Sequence, residues 1–414
     1  MKEKQVNIHD LIMNVCSELE KIGYQKYYVW GHLYVAMKTI EKYHTMNKQM
    51  YYNSKLTAEI VADTHKRFKN GEISGCRRSV LVKAAKYLDE YFTNKRITFG
   101  RDTYVSKPVL CNDFQDVLCK FMKSRDFYIT TGRDFEWAIR KYLLFLQDRG
   151  YSNIADISIS DVKDFITGIG KAYSVATLRD IQCYVRQFHE FLHNQNFCAL
   201  DCTGILSVRI SKNHKEKDYI TDKELSDTLA QIDTSTSLGK RNMAIILLAV
   251  STGLRAKDIS YLKLSDIDWE NGEIHIIQSK TGGEVFLPLT VDAGKAIQDY
   301  ILNARPQTNH SEIFISAVTP FRPIAAVSIR SMFAKYLKKA GITRVPFDGK
   351  TFHGLRRRMG HNLLCSGHSI YIIAQILGHK AVDSTQSYLS LDCDNLKMCS
   401  LDFSNIPVGG DSNV

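Results

Sequence analysis

Six residues between positions 255 and 388 carry side chains that could bind an anion, move protons or act as a nucleophile. They are Arg255, Lys280, His353, Arg356, His379 and Tyr388. Arginine binds phosphate through paired hydrogen bonds, lysine and histidine transfer protons, and an activated tyrosine hydroxyl can attack an electrophile. Each residue taken alone has a commoner structural explanation. The local sequence around each one is therefore considered first.

Arg255 and Lys280 lie at the ends of predicted elements. In STGLRAKDISYL, residues 251–262, Gly253 ends one helix and Arg255 begins the next, where backbone N–H groups favour an anion. Asp258 lies three residues on, on the same helix face, and can orient Arg255. Lys280 lies beside the Thr-Gly-Gly turn of a predicted hairpin, from which a flexible lysine could donate a proton. A surface ion pair and a solubilising turn lysine are the commoner explanations.

The stretch TFHGLRRRMGHNLLCSG, residues 351–367, predicts a helix with a phosphate-binding start. His353 and Arg356 are three residues apart and therefore share a face. Arg357 and Arg358 point elsewhere and are expected to contact DNA backbone or solvent. Three apolar residues at four-residue spacing would be buried: Leu355, Met359 and Leu363. A single histidine in a first helical turn is more often a cap or a surface group.

The stretch LGHKAVDSTQSYLS, residues 377–390, places a histidine and a tyrosine nine residues apart. Gly378 ends an apolar predicted helix, and His379 follows directly. The Asp-Ser pair downstream can cap a short helix that carries Tyr388. A tyrosine in an amphipathic helix is usually a core or interface residue, so these residues alone leave open whether Tyr388 is a nucleophile.

Composition predicts a folded basic protein outside the membrane. The 414 residues are 44% hydrophobic and 24% charged, with a net charge of +11 that favours a polyanionic partner. The longest strongly apolar run, MAIILLAV, is far shorter than the roughly 20 residues of a membrane span. The N-terminus shows no apolar signal segment, so a cytoplasmic location is expected. Ten scattered cysteines without a CxxC pair indicate reduced, mostly buried thiols and no zinc site.

Helical periodicity and composition divide the chain into five segments. Residues 1–105 and 110–208 each hold several amphipathic helical patterns. Residues 209–218 are polar and basic, which is typical of a linker. Residues 219–392 mix helices with one hairpin, and residues 393–414 form a tail. The predicted fold is mainly α, with a small antiparallel β-sheet in the C-terminal domain and two helical domains before it.

Taken in order, these segments resemble the catalytic domain of the tyrosine recombinases, also called phage-type integrases. The matching stretches are TGLRAKDISYLKLSDID, IIQSKTGGEVFLPL, HGLRRRMGHNLL and LGHKAVDSTQSYLS, which span about residues 250–390. Residues 110–208 resemble the family's helical, SAM-like core-binding domain. Residues 1–105 match no part of the family's two-domain form and are expected to be an additional DNA-binding or assembly domain.

The resemblance implies a site-specific recombinase that cleaves and rejoins DNA through a covalent phosphotyrosyl intermediate and a four-way junction. Tyr388 would be the nucleophile, and Arg255 and Arg356 would bind the non-bridging oxygens of the scissile phosphate. Lys280 would protonate the leaving 5′ oxygen. Because the phosphotyrosyl link conserves the energy of the broken bond, no ATP, metal or other cofactor is implied.

The two histidines have supporting roles in this resemblance. His353 would assist proton transfer, and His379 would contact the phosphate or position the nucleophile. The chain departs from the family at Gly354, where an acidic or polar residue is common. Three consecutive arginines leave the catalytic one to be chosen by its spacing from His353, which selects Arg356. Tyr371, the nearest competing tyrosine, lies in an apolar helix and is expected to be structural.

The implied partners are double-stranded DNA and further copies of the chain in a homotetramer, with a possible accessory protein or partner recombinase and a nucleoid-associated location. Supercoil relaxation, as in the similar type IB topoisomerases, is one alternative. A catalytically inactive or helper-dependent DNA-binding protein of the same fold is another, and a helical scaffold is a third. The core-binding segment favours recombination, the full set of six residues favours catalysis, and the basic charge disfavours a scaffold.

Overall fold

The computed structural model describes residues 6–97, 108–127, 129–207, 218–345 and 348–378. These residues divide into two compact units. One consists mainly of residues 36–93 and 108–207, and the other of residues 9–35, 94–97 and 218–378. The predicted fold class is confirmed, because helices dominate the described residues and the C-terminal part holds a small antiparallel sheet.

The described residues 6–97 are mainly helical, as the sequence predicts. The helices are α1 (Ile8–Lys21), α2 (Lys26–Tyr28), α3 (Tyr34–Met46), α4 (Ser54–Lys69) and α5 (Gly75–Asn94). A π-helical turn, Val29–Leu33, separates α2 from α3 inside a stretch whose periodicity predicts one continuous helix. Gly31 lies in this turn, and glycine is a weak helix former.

The next hundred residues form a helical bundle. Its helices are α6 (Asn112–Lys123), α7 (Ile129–Asp148), α8 (Ile159–Gly170), α9 (Val175–Asn194) and the short α10 (Thr203–Leu206). Ser158 and Ser174 cap α8 and α9 through their side chains, which stops the chain from extending either helix backwards. The core is rich in aromatic rings and includes Phe114, Phe121, Phe135, Tyr142 and Phe188.

The C-terminal part of the described chain mixes helices with the sheet. The helices are α11 (Asp222–Leu229), α12 (Ser237–Thr252), α13 (Ala256–Tyr261), α14 (Val291–Asn303), α15 (Ala326–Lys339), α16 (Phe352–Cys365) and α17 (Ile370–Leu377). The strands are β1 (Ile267–Asp268), β2 (Glu273–Ile277) and β3 (Glu284–Pro288). Ile245 and Leu248 of α12 pack in one core with Phe333 of α15 and Leu355 of α16.

The predicted hairpin is present and joins β2 to β3. The strands pair in the antiparallel order β1-β2-β3, with Ile276 opposite Val285. Alternate residues of β2 point inward, so Ile274 and Ile276 are buried while His275 and Ile277 are exposed. The same alternation carried one step beyond the strand places Gln278 on the buried side.

The cysteines differ from the sequence prediction. Cysteines in the described ranges are free thiols, and only Cys16, Cys198 and Cys202 among them are buried. The expectation of mostly buried thiols is therefore wrong, since several lie on outward faces of amphipathic helices. Helices in the described parts of the chain are all too short or too polar to cross a membrane.

Candidate active site

Arg255 lies where α12 turns into α13, as its sequence context predicts. Gly253 ends α12 with a left-handed φ of +62°, and Arg255 is the extended residue directly before α13. The Arg255 guanidinium is partly buried. Its Nη1 donates to Oε1 of Gln278 at 2.6 Å and lies 3.8 Å from Oδ2 of Asp258. The guanidinium is thus held from two sides.

Asp258 contacts both Arg255 and the hairpin that carries Lys280. The predicted pair with Arg255 is present, but it is not a surface pair, because only 4% of Asp258 is exposed. Its Oδ1 accepts a hydrogen bond from the backbone N–H of Ser279 at 2.8 Å. Asp258 therefore ties the start of α13 to the residue next to Lys280.

Arg356 is buried in the protein rather than presented on a helix surface. Only 2% of it is exposed. Its Nη1 donates to the carbonyl oxygen of Gly253 at 2.9 Å, and its Nη2 donates to the carbonyl oxygen of Leu377. These contacts connect α16 to the end of α12 and to the end of α17. His353, three residues earlier on the same helix, is exposed, so the two side chains differ in their access to solvent.

Gln278 is a site residue that sequence reasoning missed. It is 1% exposed, and its amide bridges two parts of the site: Oε1 accepts from Arg255, while Nε2 donates to the carbonyl oxygen of Leu377 at 3.1 Å. That carbonyl also accepts from Arg356. The available signal was the alternation Ile274, Ile276, Gln278, which puts a polar residue on a buried face, where it needs partners.

His353 lies in a strongly positive environment. Loss of solvent around the ring, followed by the charges of Arg357, Arg356, Arg255 and Lys280, lowers its pKa from 6.5 to about 4. The four cationic side chains disfavour a second proton on the ring, because the protonated imidazole would carry a like charge. The imidazole is neutral near pH 7 and can accept a proton there.

Lys280 lies in the turn of the β2–β3 hairpin and is exposed. The turn is closed by two backbone hydrogen bonds of 2.8 Å, from Gln278 to Gly283 and from Gly282 to Gln278. Lys280 is near enough to His353 to contribute to its pKa shift. The structure thus brings Arg255, Lys280, His353 and Arg356 together from three separate stretches of sequence.

Of the two neighbouring arginines, Arg357 does not face outward, contrary to the sequence interpretation. Arg357 is largely buried, and its Nε donates to the carbonyl oxygen of Asp218 at 2.8 Å while its Nη2 donates to that of Gly349. Arg358 pairs with the carboxylate of Asp222. The expectation that they contact DNA backbone or solvent is wrong for Arg357, because the segment before α11 packs on this side of α16.

Several predicted features fall on or near the end of the described chain. His379, Tyr388 and the tail 393–414 lie outside the described residues, as does nearly all of the linker 209–218. Tyr371 is described and is 68% exposed at the start of α17. Its side chain is therefore not part of the core, so the expectation that Tyr371 is structural finds no support in burial. Among the described residues, no three His, Cys, Asp or Glu side chains are grouped to hold a metal ion.

Comparison with known proteins identifies the family. The model of the phage integrase family matches residues 218–394. Two proteins of Sinorhizobium fredii, each named as a putative integrase/recombinase, are similar to the chain. The protein y4gC is 34% identical over 167 residues, which cover 40% of this chain and 85% of y4gC. The protein y4rA is 29% identical over 267 residues, so the chain covers 64% of its length.

A solved structure supports the fold independently. A lambda integrase tetramer bound to a Holliday junction matches with a TM-score of 0.53 at 19% identity, covering 77% of this chain and 89% of that one. At this identity the likeness concerns the fold. The match to the family model covers the residues that hold the four clustered side chains, and y4gC supports the same assignment. The chain belongs to the phage integrase family, the tyrosine recombinases.

Proposed function

We propose that the protein is a site-specific DNA recombinase that cleaves and rejoins DNA strands through a covalent bond to Tyr388. The observation that supports this most is the grouping of Arg255, Lys280, His353 and Arg356 around one small region. These are the side chains that a phosphoryl transfer needs apart from its nucleophile: two phosphate-binding cations, a proton donor and a neutral proton acceptor.

The proposed cleavage step is a transesterification. The Tyr388 oxygen attacks the scissile phosphorus, a tyrosyl O–P bond forms, and the bond from phosphorus to the 5′ oxygen breaks. His353 takes the phenolic proton, since its lowered pKa keeps the imidazole neutral. Lys280 gives a proton to the leaving 5′ oxygen. His379 contacts the phosphate or positions the tyrosine. Rejoining reverses the same step with a different 5′ hydroxyl.

The two arginines have unequal access to a phosphate. Arg255 is partly exposed and preoriented by Gln278 and Asp258, so a phosphate can reach its guanidinium without rearrangement. Arg356 is buried, and both terminal nitrogens already donate to carbonyl oxygens. Phosphate binding by Arg356 therefore requires the contact with the Leu377 carbonyl to open or be shared. This makes the end of α17 a part of substrate binding.

The proposed substrate is double-stranded DNA, and the proposed working assembly is a homotetramer that passes through a four-way junction. A net charge of +11 supports a DNA partner. The likeness of fold to a lambda integrase tetramer on a Holliday junction supports the assembly. In this proposal residues 219–392 form the catalytic domain, and residues 110–208 form the core-binding domain that binds the DNA. Residues 1–105 add DNA or assembly contacts, and the protein works at the nucleoid.

A covalent-capture experiment tests the proposal. Nicked duplexes tiled across the DNA that flanks the coding sequence are incubated with wild type and Tyr388→Phe, without Mg²⁺ or ATP. Reactions are stopped with SDS and resolved on a denaturing gel. A covalent protein–DNA band from wild type alone supports the proposal. Bands from both proteins would move the nucleophile elsewhere, and no covalent band from either would favour a DNA-binding protein of the same fold.

A further inference from the structure

We infer that Gln278 is a positioning residue that fixes the geometry of both phosphate-binding arginines. It also links the two arginines to the turn of the β2–β3 hairpin, which carries Lys280. This inference deepens the proposed function and rests on it. Gln278 has no ionisable group and does not itself touch the reacting atoms. It would act through Arg255, through the carbonyl that Arg356 shares, and through the turn that carries Lys280.

The first observation is the direction of the Gln278 amide. Its oxygen lies 2.6 Å from Nη1 of Arg255, and its nitrogen lies 3.1 Å from the carbonyl oxygen of Leu377. A guanidinium can only donate and a carbonyl can only accept, so a single orientation of the amide satisfies both neighbours. A buried amide held at both ends has little freedom, and it transmits that order to Arg255.

The second observation is the carbonyl of Leu377. It accepts from Gln278 and from Arg356, so one backbone oxygen links the two arginines through the amide. Leu377 is the last residue of α17 and lies two residues before His379. A movement of this carbonyl toward or away from Arg356 would therefore shift the Gln278 amide and, with it, the guanidinium of Arg255.

The third observation is the space that Gly378 leaves. A Cβ at this position would lie 2.5 Å from Nε2 and 2.6 Å from Oε1 of Gln278. The backbone of Gly378 also has a φ of +62°, which a residue with a side chain adopts at a cost. The Gln278 amide thus occupies the space that a side chain at position 378 would fill.

The fourth observation joins Gln278 to the hairpin turn. Its backbone makes both hydrogen bonds that close the turn around Lys280, and Thr281 Oγ1 donates to its side-chain oxygen at 3.2 Å. The turn, the start of α13 and the end of α17 therefore meet at this one residue. Placement of the proton donor and of the arginine pair would be coupled through it.

The test uses full-length protein and the nicked duplex that wild type captures best. Gln278→Met keeps the side-chain length and removes both hydrogen bonds. Gln278→Glu keeps the acceptor for Arg255 but loses the donor for Leu377. Because small misplacements of catalytic groups are costly, single-turnover cleavage by Gln278→Met should fall by about 10–100-fold. DNA affinity should stay within about twofold of wild type, since phosphate contacts elsewhere on the duplex dominate binding. Gln298→Met, at an exposed glutamine on α14, is the matched control.

A second substrate separates positioning from general damage. A methylphosphonate at the scissile position replaces one charged oxygen by a methyl group, so the arginines have less negative charge to stabilise. If Gln278 acts through them, the difference between wild type and Gln278→Met should shrink to less than about threefold on this substrate. A merely structural defect would lower cleavage of both substrates by the same factor.

The outcomes distinguish this inference from the proposed function. A wild type without any covalent product would contradict the proposed function, on which the role of Gln278 rests. A wild type that cleaves, with Gln278→Met cleaving as fast, would contradict only the role of Gln278. So would equal losses on both substrates. Gly378→Ala provides an independent check and should reproduce the Gln278→Met pattern. Gly367→Ala, with a φ of +80° and open space, controls for backbone strain.

Discussion

Nη1 of Arg356 donates a hydrogen bond to the carbonyl oxygen of Gly253 at 2.9 Å, across 103 residues of sequence. Gly253 lies two residues before Arg255, so the backbone that places one arginine is also the anchor of the other. The left-handed φ of Gly253 turns the chain between α12 and α13 and points its carbonyl at α16. The relative position of the two arginines thus depends on this glycine.

Substitution of Gly253 by alanine should therefore damage the site and the fold together. A Cβ there would lie 2.8 Å from Sδ of Met359 and 3.0 Å from Cδ2 of Leu377. We expect Gly253→Ala to lower the free energy of unfolding by on the order of 2–4 kcal/mol, from backbone strain and overpacking combined. Urea unfolding followed by circular dichroism measures this loss.

Gly341→Ala is the control for the backbone part of that loss. Gly341 has a φ of +76° and nothing within 4 Å of its added Cβ. Its substitution should cost about 1–2 kcal/mol through the left-handed conformation alone. Equal losses in the two variants would mean that crowding against Met359 and Leu377 contributes nothing.

Arg357 should contribute to stability rather than to DNA binding. Its guanidinium donates to the carbonyl oxygens of Asp218 and Gly349, and both contacts are lost when the guanidinium is removed. Arg357→Gln should lower the free energy of unfolding by about 1–3 kcal/mol. The dependence of DNA affinity on salt concentration should not change, because no phosphate contact is lost.

Arg358→Gln is the matched comparison on the next residue. The partner of Arg358, Asp222, is highly exposed, and exposed ion pairs contribute little, so the loss should stay below about 1 kcal/mol. A shallower salt dependence of DNA binding for Arg357→Gln would show that Arg357 contacts the DNA backbone after all.

Buried His189 should make the protein sensitive to mild acid. Burial lowers its pKa from 6.5 to about 4, and its Nε2 lies 2.9 Å from the hydroxyl of Tyr142. Between pH 6.5 and 4 the unfolded chain binds a proton that the folded chain does not, so stability falls as the pH falls through this window. The loss should be on the order of 3 kcal/mol at pH 4 relative to pH 7.

His189→Gln keeps a hydrogen-bonding partner for Tyr142 and removes the titration. The free energy of unfolding of wild type, measured relative to that of His189→Gln in thermal scans, should therefore fall as the pH is lowered from 6.5 to 4. Parallel pH curves for the two proteins would contradict the buried neutral state of His189.

The tail should support assembly on DNA. Its sequence places apolar residues at Leu396, Met398, Leu401 and Phe403. We expect deletion of residues 393–414 to weaken tetramer formation on DNA, measured by native gel or analytical ultracentrifugation. Deletion of residues 405–414 alone removes the end of the chain beyond these four residues and serves as control. Unchanged assembly by the longer deletion would exclude a role for the apolar residues.

Local sequence signals predicted the elements that carry the site. The glycine before Arg255, the Thr-Gly-Gly turn beside Lys280 and the helix beginning near His353 all fold as their patterns indicate. These features depend on residues within one turn of each other. Their order along the chain was enough to indicate the family.

Long-range contacts were not readable from the same patterns. Burial of Arg356 depends on carbonyl groups of Gly253 and Leu377, which lie on other helices. Spacing from His353 predicts only which helix face a residue occupies, and says nothing about what packs on that face. The exposure of Tyr371 has the same origin: apart from Gln375 its helix is apolar, so composition could not indicate which side is covered.

The most direct measurement is the identity of the residue that becomes joined to DNA. Covalent complexes from wild type are digested with nuclease and protease, and the nucleotide-bearing peptide is sequenced by mass spectrometry. We predict a nucleotide on Tyr388, in the peptide that contains AVDSTQSYLS. Its 3′ oxygen should be joined through the phosphate to the tyrosine oxygen. Attachment at exposed Tyr371, or at any other residue, would contradict the account.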